Sequence, residues 1–142
     1  MFEPTEITFF ELEQVIETHD IQLRDNGGGS PGICKLSDLE SAINVPRSGM
    51  SGHYFHKDIF EMAAAYLFHI ANNHGFCDAN KRTGLAVALD FLGFHDIEID
   101  ATAQEVLDLA LQVVEGSKKP TETKLLAADF FRSRARKLLP DD

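Results

Sequence analysis

The sequence of 142 residues has no tryptophan, only two cysteines and no apolar stretch of the ~20 residues that a membrane-spanning helix requires. Cys34 and Cys77 are too few for the disulfide framework of a small secreted domain. Residues 1–4 show neither the basic region nor the apolar core of a secretory signal. We therefore expect a cytoplasmic protein that has reduced thiols and does not bind membranes.

Basic side chains are also scarce. The chain has 13 lysines and arginines against 23 aspartates and glutamates, a formal net charge of −10. Most of such a surface repels polyanions, which excludes general nucleic-acid binding and disfavours anionic membranes. A small anion can still bind where cations gather locally. The proportions of hydrophobic residues (44%) and charged residues (25%) are those of a globular protein, and we expect residues 1–142 to form a single domain.

Apolar residues recur at helical spacing through most of the chain, which predicts an all-α fold of five to seven helices. The two most apolar helices, at about 59–73 and 80–93, should be buried on most sides. Another helix should end near His19, and the last should span about 121–139. Sequences of the form Ser/Thr-x-x-Glu predict the starts of three helices, at Thr8, Ser37 and Thr102.

Three segments interrupt the helical pattern. Residues 26–32 contain four glycines and a proline, and we interpret them as a flexible turn. Residues 45–57 hold Pro46, Gly49 and Gly52 and are expected to form a loop or a short β-flap. Ile97 and Ile99 alternate with acidic residues, which is typical of a short extended piece.

The densest group of reactive side chains lies between the two central helices, in the sequence HGFCDANKRT at residues 74–83. If the second helix begins near Asn80, its free N–H groups and the positive end of its dipole can hold an anion. Lys81 and Arg82 would add two cations there, and Asn80 an amide donor, for binding phosphate. Asp78 is suited to bind Mg²⁺ together with phosphate oxygens.

His74 completes this arrangement as a general base that works near neutral pH, and Phe76 is predicted to anchor the loop to the core. A base, a metal-binding carboxylate and a phosphate clamp suit the transfer of a group from a nucleoside triphosphate to a hydroxyl. The alternatives are an exposed surface histidine, a helix cap at Asp78 and solvated cations. Cys77 is interpreted as a thiol without a role. The sequence has neither a P-loop nor the protein-kinase motifs.

The segment HGFCDANKR resembles the signature H-x-F-x-[D/N]-[A/G]-N-[K/R]-R of the Fic/Doc family. Lys81 followed by Thr83 is similar to the Doc branch, the death-on-curing toxins of bacterial toxin–antitoxin systems. Gly75 stands where many relatives have proline, from which we expect a looser loop. The similarity spans about residues 10–115, and its weaker parts are HDIQ at residues 19–22, GGGSPG at 27–32 and LESAI at 39–43.

The resemblance implies the α-helical Fic fold with ATP and Mg²⁺ as ligands. The residue matching His74 is the catalytic base of that family, and the one matching Asp78 binds the metal. Those matching Asn80, Lys81 and Arg82 bind phosphates.

A Doc-type toxin transfers the terminal phosphate of ATP to a hydroxyl of a host protein, elongation factor Tu being the best-known target, and so stops translation. A cognate antitoxin blocks the toxin with a disordered tail, and residues 45–57 are either an idle loop or the flap that docks the incoming hydroxyl. One alternative is AMP transfer, as in the Fic branch, which usually has glycine at the position of Lys81. Another is a non-catalytic module that binds an antitoxin or a peptide.

Overall fold

A computed structural model describes residue 4 and residues 6–138, and in these residues six α-helices and two small antiparallel sheets form. The helices are α1 (Leu12–Asp25), α2 (Leu36–Asn44), α3 (Ile59–Asn73), α4 (Asn80–Phe94), α5 (Ala103–Glu115) and α6 (Pro120–Arg134). The strands are β1 (Gly49–Met50), β2 (His53–Tyr54), β3 (Ile97–Ile99) and β4 (Ala135–Lys137). The predicted all-α fold with a short β-flap, formed by β1 and β2, is therefore confirmed. No helix in the described part of the chain is long and apolar enough to cross a membrane.

Helices α3 and α4 form the centre of the molecule. Eleven of the 15 residues of α3 are buried, so this helix is covered on nearly all sides by the others. Small side chains let the two helices approach closely, because a Cβ atom at Gly84 would lie 3.0 Å from the carbonyl oxygen of Leu67. Each fully buried large side chain, such as Leu67 or Phe91, contributes roughly 1.5–3 kcal/mol to stability. The loop that joins these helices therefore starts and ends on a well-packed pair.

The predicted start of the first helix at Thr8 is wrong. The helix α1 begins at Leu12, and Glu11 and Gln14 form its capping box, with the N–H of Glu11 donating to Oε1 of Gln14 at 2.8 Å. The segment before it is not helical, and Phe10 there is buried with its N–H donating to the hydroxyl of Tyr66. The helix also continues past His19 to Asp25.

The second predicted capping box, at Ser37, is also wrong, whereas the third is confirmed. Helix α2 follows Lys35, whose N–H donates to the carbonyl oxygen of Gly75 at 2.9 Å, so a tertiary contact sets where this helix begins. In α5, the hydroxyl of Thr102 accepts from the N–H of Glu105 at 3.1 Å, and the Glu105 carboxylate accepts from the N–H of Thr102 at 3.0 Å.

The last helix is shorter than predicted, because α6 ends at Arg134 and β4 then pairs with β3. This pairing confirms the extended piece around Ile97 and Ile99. Arg136 lies on β4 and donates to the carboxylate of Glu98 on β3 at 2.5 Å. Arg132 and Arg134 lie in the last turn of α6, whereas Arg136 and Lys137 lie on β4. Position 139 lies outside the described residues.

The two cysteines form a disulfide, so the expectation of reduced thiols is wrong. The Cα atoms of Cys34 and Cys77 are 4.9 Å apart although 43 positions separate them in the sequence. Backbone bonds bring the two segments together: the N–H of Cys34 donates to Gly75 and the N–H of Cys77 to Gly32, at 2.9 and 3.1 Å. The backbone bonds between these two segments place the cysteines close enough for a single disulfide.

Reduction of this disulfide is expected to lower the free energy of unfolding by about 2–4 kcal/mol, because the unfolded chain regains the entropy of a long closed loop. Urea unfolding of the wild type with and without dithiothreitol measures the change. The Cys34→Ser variant should show the lower stability in both buffers. A wild-type midpoint that does not respond to dithiothreitol would contradict the bridge.

A second feature of the fold is a cluster of basic groups between α3 and α6. The Lys124 ammonium donates to Nε2 of His69 at 3.2 Å. The pKa of His69 is lowered from 6.5 to about 4, mainly by burial and in addition by the charges of Lys124 and His56. The pKa of His56 is also lowered, first by burial and then by the charge of Lys124. Burial lowers the pKa of Lys124 as well. The carboxylate of Glu61 acts against both shifts, but only in part. The folded protein therefore favours neutral imidazoles at this contact.

Stability is expected to fall as the pH decreases from about 6.5 to about 4, because over this window the unfolded chain binds a proton at His69 that the folded chain does not. The His69→Gln variant keeps a polar acceptor for Lys124 but does not titrate, so its unfolding midpoint should depend less on pH over this window. His53→Gln, at an exposed histidine, is the control. Equal pH slopes for all three proteins would refute the assignment.

Candidate active site

The loop between α3 and α4 is bounded by two residues in the left-handed conformation. His74 ends α3 with φ of 54°, and Ala79 precedes α4 with φ of 61°. Such backbone is uncommon for residues other than glycine and occurs preferentially at functional sites. The two turns reverse the chain within a few residues, so the carboxyl end of α3 and the amino end of α4 lie side by side.

A cavity of about 410 Å³ opens at this point. It is lined by His74, by residues 77–82, and by Ala71 and Val114 from α3 and α5. The structure thus brings together five of the side chains that the sequence analysis singled out, while Phe76 lies beneath them in the core. The first N–H groups of α4 have no acceptor within the helix and lie at the same cavity, as an anion site requires.

Phe76 and His19 hold the loop from below. Phe76 is 2% exposed and stacks face to face on the imidazole of His19, with ring centroids 3.8 Å apart and 3° between the planes. This is the packing that an anchor of the loop requires. His19 belongs to the motif HDIQ quoted above, but a single histidine on a helix carries no signal in the sequence that it will contact residue 76.

Asn80 closes the loop with its side-chain amide. Its Oδ1 accepts from the N–H of Phe76 and its Nδ2 donates to the carbonyl oxygen of Phe76, both at 3.0 Å. The side chain therefore mimics a backbone pairing across the turn. Its phosphate-binding role stays a prediction, for which the backbone N–H of Asn80 and the second hydrogen of its Nδ2 remain as donors.

Asp78 is held as a carboxylate. Its Oδ2 accepts from the N–H of Ser30 at 3.1 Å and its Oδ1 from the N–H of Ala79 at 2.8 Å. These bonds, and after them the charge of Arg82, lower the pKa of Asp78. Each carboxylate oxygen keeps a further lone pair. A single carboxylate with these lone pairs fits Mg²⁺ that phosphate oxygens hold on its other sides. The described residues contain no group of three or more side chains that could ligate a metal.

Arg82 contacts the end of α1 and the glycine-rich segment. Its Nη1 donates to the carbonyl oxygens of Gln22, at 3.2 Å, and of Asn26, and its Nη2 donates to Gly28 at 2.6 Å. Carbonyl groups at the end of a helix attract cations. Arg82 therefore connects α4 to α1, and phosphate binding by its remaining donors stays a prediction. Lys81 is exposed at the rim of the cavity, without such a set of carbonyl partners.

The glycine-rich segment, which we interpreted as a flexible turn, makes close contacts with the site. Gly29 has φ of 131°, and a Cβ atom there would lie 2.8 Å from Oδ2 of Asp78 and 3.3 Å from Nη2 of Arg82. Glycine is required because the backbone covers two side chains of the site. The sequence analysis missed this contact, since a run of glycines shows where a chain can bend and not what it approaches.

The expectation of a looser loop at Gly75 is also wrong. Gly75 is buried, and a Cβ atom there would lie 2.6 Å from Cβ of Leu39 on α2. Cys77, which was assigned no role, lines the cavity and joins the loop to Cys34. The loop is thus fixed by packing, backbone bonds and a covalent bridge.

Comparisons with known proteins show the family of this chain. The sequence model described as the Fic/DOC family matches residues 9–92. The protein kinase doc of Escherichia phage P1 is 33% identical over 104 residues, which cover 73% of this chain and 80% of that protein. The Toxin Doc of Mycolicibacterium smegmatis is 31% identical over 74 residues, which cover 52% of this chain and 57% of that protein. The chain, with its HGFCDANKR loop at the cavity, belongs to the Fic/Doc family.

Proposed function

We propose that this protein is a Doc-type toxin that transfers the terminal phosphate of ATP to a hydroxyl side chain of a host protein and thereby inhibits translation. The observation that carries the proposal is the cavity at which His74, the Asp78 carboxylate and the free N–H groups of α4 meet. These groups supply a base, a metal ligand and an anion site within one small volume.

The reaction needs few groups because phosphoryl transfer depends mainly on positioning and on neutralisation of charge. His74 accepts the proton of the incoming hydroxyl, whose oxygen forms a bond to the γ-phosphorus. The bond from that phosphorus to the oxygen bridging the β- and γ-phosphates breaks, and ADP leaves. Asp78 would hold Mg²⁺, which when bound neutralises phosphate charge. Lys81 and the first N–H groups of α4 bind the phosphates.

The relatives support the reaction and the biological setting. The phage P1 protein is named a protein kinase, and the mycobacterial protein is named a toxin. By analogy, the partners of this chain are a cognate antitoxin and a cytoplasmic target, for which elongation factor Tu is the first candidate. The net charge of −10 favours an antitoxin segment rich in lysine and arginine.

Lys81 is the feature that favours phosphate over AMP transfer. A long cationic side chain at the second residue of α4 occupies space beside the helix end, where an α-phosphate would have to approach for AMP transfer. Lys81 is exposed and lines the cavity, so it is free to contact the phosphate chain of a nucleotide.

ATP labelled separately at the α- and γ-phosphates distinguishes the two reactions. Incubated with Mg²⁺ and elongation factor Tu or a cell lysate, the wild type should transfer label only from the γ-position, and the mass of the target should rise by one phosphate group. Label from the α-position would overturn phosphate transfer in favour of AMP transfer. Absence of label from both positions for the free protein, if that protein still binds an antitoxin in a separate binding experiment, would indicate a non-catalytic module.

The His74→Ala variant should lose the transfer by about 10²–10⁴-fold, because a positioned general base contributes this much. Expression of the wild type without an antitoxin should arrest growth, and expression of the variant should not. The control is His95→Gln, which changes a histidine at the far end of α4. Growth arrest by His74→Ala at equal protein levels would contradict the role of this residue.

A further inference from the structure

We infer that His19 is a positioning residue of the active site: from α1 it holds the peptide group of Asp78, and through it the metal-binding carboxylate and the first turn of α4. The consequence for nucleotide binding rests on the proposed function. The structural part of the inference, the immobilisation of residues 78–83, does not.

His19 reaches the loop by two different contacts. Its imidazole is 1% exposed, and Nε2 lies 2.9 Å from the carbonyl oxygen of Asp78. A carbonyl oxygen can only accept, so the Nε2–H group of His19 donates. The flat face of the same ring stacks on Phe76, 3.8 Å away. One side chain of α1 thus fixes the loop both at its anchor and at its metal-binding residue.

The hydrogen bond acts at the position where the chain turns into α4. The carbonyl group of Asp78 belongs to the peptide that precedes Ala79, the left-handed residue before the helix. Rotation of this peptide would redirect the N–H of Ala79, which binds Oδ1 of Asp78, and the N–H groups that follow. With Ser30 bound to Oδ2, the residue Asp78 is held at its carbonyl and at both carboxylate oxygens.

If His19 served only to pack the core, its aromatic ring would suffice and its hydrogen bond to Asp78 would not matter. Two substitutions separate the contacts: His19→Phe keeps an aromatic ring to stack on Phe76 and removes the donor, whereas His19→Gln keeps an N–H donor near the position of Nε2 and removes the ring. His95 is a matched control, because its Nδ1 lies 2.9 Å from the carbonyl oxygen of Phe91 and its ring contacts the ring of Phe91. His95→Phe therefore removes a comparable donor away from the cavity, together with the bond that Nε2 of His95 accepts from the N–H of Thr8 at 2.9 Å.

Hydrogen exchange of the amides of Ala79 and Thr83, which donate to Oδ1 of Asp78 and to the carbonyl oxygen of Ala79, tests the structural part without a nucleotide. Exchange should be about tenfold faster in His19→Phe than in the wild type, the change expected when one hydrogen bond is lost, and close to the wild-type rate in His19→Gln. His95→Phe should leave these amides unchanged. Equal protection in His19→Phe and the wild type would overturn the inference.

Titration calorimetry with ATP and Mg²⁺ tests the functional part. The dissociation constant should rise about tenfold in His19→Phe, return to within about threefold in His19→Gln, and stay unchanged in His95→Phe. Melting temperatures of the two Phe variants should be similar, which separates positioning from a general loss of stability.

The two proposals fail in different ways. A wild type that does not bind ATP with Mg²⁺ refutes the proposed function, and the exchange rates then decide the role of His19. A wild type that binds, together with a His19→Phe variant that binds equally well, refutes the positioning role. A His19→Gln variant as impaired as His19→Phe in both measurements shows that the ring, and not the donor, is what matters, and also overturns the inference.

Discussion

The reversal of the chain between α3 and α4 is the constraint on which the site depends. It requires left-handed backbone at His74 and at Ala79, which costs energy in residues with a side chain. The bonds from the Asn80 amide to the backbone of Phe76, and the burial of Phe76 in the core, offset this cost. As a result the end of one helix and the start of the next line one cavity, at which the imidazole of His74 and the first residues of α4 meet.

Helix α1 and the segment after it form the second half of the site. His19 contacts the loop from the core, Ser30 donates to the Asp78 carboxylate, and the carbonyl groups at the end of α1 accept from Arg82. These contacts explain why a glycine-rich segment lies here, since only residues without a Cβ atom let the backbone approach Asp78 and Arg82 so closely. Asp78 and Arg82 therefore have hydrogen-bond partners within the protein itself.

Local charge at the cavity is opposite to that of the molecule. The chain carries a net charge of −10, yet the amino end of α4 offers N–H groups, the positive end of a helix dipole, and Lys81. Arg82 donates to three carbonyl groups, whereas Lys81 is exposed at the cavity. A cavity with cationic side chains in a protein of net negative charge is suited to the proposed binding of a small anion, whereas the net charge repels polyanions.

The sequence by itself determined the helical class, the central pair of helices and the identity of the loop between them. Apolar residues at helical spacing report which residues face a core, and HGFCDANKR brings a base, a carboxylate and cations together because they are neighbours in the chain. Only the tertiary structure decided what this loop meets. The contact with His19, the cover by Gly29, the bond from Cys77 to Cys34 and the bond from Lys35 to Gly75 at the start of α2 all join positions more than 30 residues apart. Local patterns carry no information on such pairs, because the packing of whole helices brings them together.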